Sequence, residues 1–120
     1  MFAVIVSAAV LAASQMGFDE AKALADRNEA SLDRQTSAQL VAAQGKALHE
    51  AVAACARPDA DVLPFTVVLS LNGDGSTQAS WLRGTTSLAK CVRNRLADTG
   101  LAGRWTTPFY TSFEVSFDRN

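Results

Sequence analysis

The spacing of apolar and polar positions changes several times along the chain, and each change predicts an element. From Met1 to Ala13 the run MFAVIVSAAVLAA holds no charged side chain and ends in small residues before Gln15. This is the pattern of a secretory signal peptide, assigned to residues 1–14. The run falls short of the roughly 20 residues that span a bilayer as a helix, so no stable membrane insertion is expected after processing. Because no Lys or Arg precedes the run, a buried apolar element of the domain stands as the second reading.

Residues 15–35 mix Ala with Asp, Glu, Lys and Arg and carry a thin apolar face of Phe18, Ala21, Ala25 and Leu32. That predicts an N-terminal helical extension, loosely docked or mobile. A second helix is expected from Thr36, where Thr36 and Gln39 have the spacing of a capping box. Leu40, Val41, Leu48, Val52 and Cys55 supply its apolar stripe, and Pro58 requires it to have ended. At Phe65 the period becomes two: Phe65, Val67, Leu69 and Leu71 alternate with Thr66, Val68 and Ser70, as in a half-buried strand. Asn72 to Gly75 form a turn of residues that tolerate positive φ, and Thr77 to Arg83 return as the second strand of a hairpin. Ser87 is placed to cap a helix with Leu88, Cys91, Val92 and Leu96 on its buried side and Gly100 and Gly103 at its end. In the last strand Phe109, Thr111, Phe113, Val115 and Phe117 alternate with Tyr110, Ser112, Glu114 and Ser116, giving an aromatic face and a polar face. The resulting fold is α+β: a two-layer domain in the order α-β-β-α-β, with a three-stranded antiparallel sheet, helices on one face, and an extra N-terminal helix.

Composition narrows the partners. Eleven basic against twelve acidic side chains give a formal charge of -1, which supplies none of the positive excess that nucleic acid selects. The chain has two cysteines, Cys55 and Cys91, and an exported chain with an even number is normally oxidised. One intramolecular disulfide is then the expectation, and buried free thiols are the alternative.

The order of these elements, with one cysteine late in each of two helices, resembles the carboxy-terminal domain of the TonB family, in particular its disulfide-containing periplasmic relatives. The resemblance runs from Ala51 to Phe117 and rests on Ala54-Cys55, FTVVLSLNGDGST, TTSLAKCVRNRL and TPFYTSFEVSF. It assigns residues 36–120 to a TonB-like domain and implies a bacterial periplasmic location. It also implies a binding mode, in which an extended peptide from a transporter adds to the last strand, here along Tyr110 to Ser116. The family's energy transducers carry a proline-rich linker, whereas this chain has three prolines in all.

Catalytic and metal chemistry find no footing. His49 is the only histidine and sits off the apolar stripe beside Glu50, which reads as a solvated side chain. With no second histidine and both cysteines oxidised, no zinc set assembles and no cofactor is expected. Ser87 and Lys90 match an S-x-x-K pattern without its companion elements. Asn72, Asp74 and Ser76 resemble the start of a calcium loop but lack the sixth-position Gly and the distal Glu, so a turn explains them better. Asp59 and Asp61 lie in a proline-flanked loop and read as solvating charges.

What remains is surface. Trp81, Arg83, Arg104, Trp105, Tyr110, Ser112 and Glu114 are the candidate partner-binding residues, since aromatic and Arg side chains anchor interfaces. The competing reading puts both tryptophans in the core. Two functions follow: a non-catalytic periplasmic adaptor that recruits an envelope transporter or secretion component by β-strand addition, or an inhibitor or immunity protein that blocks a secreted or cell-wall hydrolase with a projecting loop. The Asn72–Gly75 turn and the segment Leu101–Pro108 would be the loops of the second. Homodimerisation through a sheet edge stays open.

Overall fold

The computed structural model describes residues 16–118, so the expected signal peptide lies outside the described residues. Three helices and three strands follow in the order α1 (Phe18–Ala30), α2 (Arg34–Cys55), β1 (Phe65–Leu71), β2 (Thr77–Arg83), α3 (Ser87–Thr99) and β3 (Phe109–Val115). The α+β class and the α-β-β-α-β order are those expected from the sequence.

Two helix starts differ from expectation by a few residues. Asp33, rather than Thr36, opens α2: its carboxylate accepts from the Thr36 backbone N–H at 2.7 Å, and the helix begins at Arg34. An Asp oxygen satisfies an N-terminal donor at least as well as a hydroxyl, and here it stands at the right distance upstream. Likewise Thr86, not Ser87, caps α3 by accepting from Ala89 N–H at 3.0 Å. The chain leaves α2 at Ala56, whose backbone is extended ahead of Pro58.

The sheet is antiparallel in the order β2-β1-β3, which makes β1 the central strand. Its hairpin with β2 closes through Gly75 N–H to Asn72 O and Asn72 N–H to Ser76 O, at 2.9 and 2.8 Å. Asp74 accepts from both the backbone N–H and the hydroxyl of Ser76, so the polar residues of the turn satisfy one another. A register shift between Ser70 and Leu71 accommodates the tight end of the hairpin.

The core lies on both faces. Phe65, Val67, Leu69, Leu71, Phe109, Phe113 and Val115 meet Leu40, Ala51 and Cys55 of α2 and Leu88, Val92 and Leu96 of α3. Cys55 and Cys91 form the disulfide that ties these two helices together, closing a loop of 36 residues. The chain-entropy account gives such a loop about 4 kcal/mol of stabilisation. The opposite face, expected to be polar, is covered by α1: Ala21 and Ala25 are fully buried against Val68 and Tyr110, with Met16, Phe18, Leu24 and Trp81 half-buried around them. The extra helix therefore adds a third layer. Alternation within β1 and β3 was read correctly; the small side chains of α1 let a second helix approach a face that carries Val68, Ser70 and Tyr110. Val41, read as part of the α2 stripe, is instead 64% exposed. It stands about 100° around the helix from Leu40, beyond the narrow strip that meets the sheet and α3.

Candidate functional site

An antiparallel sheet of three strands has two edges, and here they are built differently. Along β3, Tyr110 N–H donates to Asn28 Oδ1 at 2.8 Å and Ser112 N–H donates to Glu29 Oε2 at 2.9 Å. Gln44 Nε2 donates to Ser112 O at 3.1 Å and to Thr111 Oγ1 at 2.8 Å, and the Thr111 hydroxyl donates to Glu29 Oε2. The end of α1 and the middle of α2 thus clasp the edge from its two sides. The N–H of Tyr110 and both the N–H and C=O of Ser112, which an added strand would need, are already bonded, so the stretch expected to receive a peptide is obstructed over its first half. A side-chain clasp of this kind is one of the ways sheets protect an edge.

The direction of the bonds at β3 fixes the other edge. Since Tyr110 and Ser112 point their N–H groups away from the sheet, the alternate residues of β3 bond to Phe65, Val67, Leu69 and Leu71 of β1. Thr66, Val68 and Ser70 then bond to Arg83, Trp81 and Ala79 of β2, and Ser80 and Leu82 are left pointing outward. Among the described residues no group hydrogen-bonds to the backbone of Ser80 or Leu82. The β2 edge carries no Pro and a single charged residue, Arg83 at its end.

The predicted interface residues fall into two separate groups. Trp81, Arg83 and Tyr110 come together with the start of α1. The Trp81 indole N–H donates to Met16 O at 2.6 Å, and its ring lies 5.9 Å from that of Tyr110. Arg83 pairs with Asp19 at 2.6 Å and stacks over Phe18 at 4.2 Å. Tyr110 is buried, whereas Ser112 is half-buried and Glu114 exposed, 3.7 Å from Lys22. The Lys22 ammonium titrates above the ordinary lysine range because the Asp26 carboxylate accepts its hydrogen bond, with Glu114 and Glu29 adding attraction.

Arg104 and Trp105 stand at the other end of the sheet. Trp105 is buried, stacked on Phe109 with ring centres 5.2 Å apart, and its indole donates to Leu101 O at 3.2 Å. It is a core residue rather than a contact surface. Its backbone N–H reaches Gly73 O at 3.0 Å and Leu101 N–H reaches Gly75 O at 2.9 Å, so the hairpin turn and the α3–β3 loop are joined by two backbone bonds. Arg104 is exposed beside this junction.

Sequence reasoning missed Asn28, Glu29 and Gln44, which decide what β3 can bind. The only signal for Asn28 was its place on the Ala21–Ala25 face, seven residues from Ala21; nothing local marks Glu29 or Gln44. A groove of about 750 Å³ runs beside the disulfide between Arg57, Asp59 and Asp61 on one side and Thr85 to Leu88 on the other. In it Asp61 accepts from Leu63 N–H, and Asp59 is exposed. Among the described residues no group of three or more His, Cys, Asp or Glu is placed to hold a metal ion, and no helix is long and apolar enough to cross a membrane. No family model, curated protein or solved structure matches the chain.

Proposed function

We propose that this chain is a non-catalytic protein-binding domain of the bacterial periplasm that recruits an envelope component by β-strand addition, and that the strand is received by β2. The observation that carries this reading is the asymmetry of the edges: side chains of α1 and α2 occupy β3, while the outward groups of Ser80 and Leu82 have no partner among the described residues. Export accounts for the disulfide, and a TonB-like ancestry accounts for the order of elements. Relative to that family's mode, the receiving edge has moved to the opposite side of the sheet.

Proline substitution separates the edges. Ser80 N–H faces away from β1, so Ser80→Pro removes a donor needed by an added strand without removing a bond of the sheet. Crosslinking and capture of the tagged protein from the periplasm is expected to yield one envelope protein from the wild type and from Ser112→Pro, and to lose it in Ser80→Pro. Capture that survives Ser80→Pro contradicts the proposal, provided circular dichroism shows both variants folded.

The alternative of a loop plug is favoured by one observation, the two backbone bonds that stiffen the Asn72–Gly75 turn against the Leu101–Pro108 loop. A rigid projecting tip loses little freedom on binding. Under this reading the captured protein is a hydrolase, and Arg104→Ala rather than Ser80→Pro releases it.

A further inference from the structure

The β2 edge has a distinct chemistry on each of its sides. Val68 belongs to the α1 face, and its partner in register is Trp81, so Ala79, Trp81 and Arg83 lie on that face and Ser80 and Leu82 lie under α3. The α3 helix runs back antiparallel to β2 after a short connection. Four helical residues advance about 6 Å and two strand residues about 6.6 Å, so the elements stay in step. Gly84 fixes the starting point: a methyl group built on it would sit 3.2 Å from the Ala89 Cβ and 3.6 Å from Leu82 Cδ1. One turn further, this spacing brings Arg93 level with Ser80.

Which flank of α3 overhangs the edge follows from its other contacts. Leu88, Val92 and Leu96 point into the core, and Cys91 is bonded to α2. Arg93 is about 160° from Cys91 around the helix, with Lys90 and Ala97 on the same outer flank. This flank holds no acidic residue; Asp98 falls on the α2 side. Lys90 is exposed, and Arg93, half-buried, keeps its Nε on Asn94 Oδ1 at 2.8 Å, leaving its terminal nitrogens free of any partner among the described residues. Across the sheet, the half-buried Trp81 and Ala79 present an apolar strip.

Resting on the strand-addition reading above, we infer that β2 selects an extended segment with acidic side chains on the α3 side and apolar side chains on the α1 side. Alternation does the sorting, since successive side chains of an added strand fall on opposite faces. Carboxylates at every second position meet Lys90 and Arg93, while the intervening residues lie beside Trp81.

The test uses the full mature chain and two seven-residue peptides, one alternating valine with glutamate and one alternating valine with lysine. Amide resonances of Ser80 and Leu82 report edge occupancy during titration at low salt. The glutamate peptide is expected to bind roughly tenfold more tightly than the lysine peptide, with the difference shrinking as salt is added. The double variant K90E/R93E, whose substitutions sit on an outer flank and leave the core intact, is expected to reverse the order. Equal binding of both peptides, unmoved by K90E/R93E, overturns the charge selection while leaving strand addition in place. If neither peptide shifts Ser80 or Leu82, strand addition at β2 fails and the selection fails with it.

Discussion

On one face of the sheet, large aliphatic and aromatic side chains of the strands interdigitate with those of α2 and α3, and a disulfide crosses between the helices. On the other, two alanines of α1 lie on Val68 and Tyr110, and polar bonds at the two ends of the helix fix its position: Met16 to Trp81 and Asp19 to Arg83 at one end, Asn28 and Glu29 to β3 at the other. The first face derives its stability from apolar burial. The second is closed by close approach and directional bonds, which are weaker in sum but decide which backbone groups remain free. The face that contributes less to holding the fold together has more influence on what the fold can bind.

Breaking the large face should have the greatest effect. Leu69 is fully buried at the centre of β1, and Leu69→Ala is expected to destabilise the whole domain by about 2–5 kcal/mol in urea unfolding, with every probe moving together. The small face should respond differently. Ala25→Leu overfills the contact with the sheet at a cost of about 1–3 kcal/mol and should lift α1 while leaving the disulfide-linked core folded. Hydrogen exchange then reports faster amides at Tyr110 and Ser112 without a matching change at Val67 or Leu69. A single cooperative loss at all four positions would mean that the faces are not separable.

Titration sharpens the same contrast with the smallest effect. The Asp33 and Asp74 carboxyls sit below the ordinary aspartate range because Thr36 N–H and the Ser76 hydroxyl and N–H hydrogen-bond to their charged forms. A lowered folded value means that each contribution is complete above the unfolded pKa and disappears as pH falls through the folded one. Acid should therefore loosen the start of α2 and the hairpin turn first. Lys22, raised by Asp26, behaves in the opposite sense: its contribution holds below the unfolded lysine value and is lost as alkaline pH passes the folded one, loosening α1. Helix-specific amide signals followed against pH at both extremes test this pairing of ends.

Elements that organise themselves locally were legible in the sequence. Alternation at Phe65–Leu71 and Phe109–Val115 set both strands, and the glycine-rich turn set the hairpin between β1 and β2. Two cysteines in a chain read as exported allow one intramolecular pairing, and Cys55–Cys91 is the bond found. The shifts of three residues at Asp33 and one at Thr86 arose where a second side chain able to cap a helix stands just upstream of the expected one. What could not be read was the layer made by α1, because Ala21 and Ala25 give a weak apolar signal while packing as tightly as any residue in the protein. The clasp on β3 was hidden for a related reason. Asn28 and Glu29 are more than 80 residues from the strand they satisfy, and no period links them. Trp105 drew attention as an aromatic in a loop, yet its position over Phe109 comes from the fold of that loop around Gly73 and Gly75.

The junction between the hairpin turn and the α3–β3 loop bears on how the gene can be altered. A side chain at Gly75 would bring its Cβ to 1.8 Å from Leu101 O, and one at Gly100 would reach 2.1 Å from Gly75 O. Both glycines also have positive φ, so each backbone blocks growth at the other. Hairpin tips are the usual place to splice in an epitope, a fluorophore site or a foreign loop. In this protein that tip is interlocked with a segment 25 residues or more downstream, and an insertion there would pull the start of β3 out of place. The exposed residues Arg57 to Asp59, ahead of the half-buried Ala60 and Val62 that pack on the core, lie outside both edges and the junction and offer a better position for extra sequence.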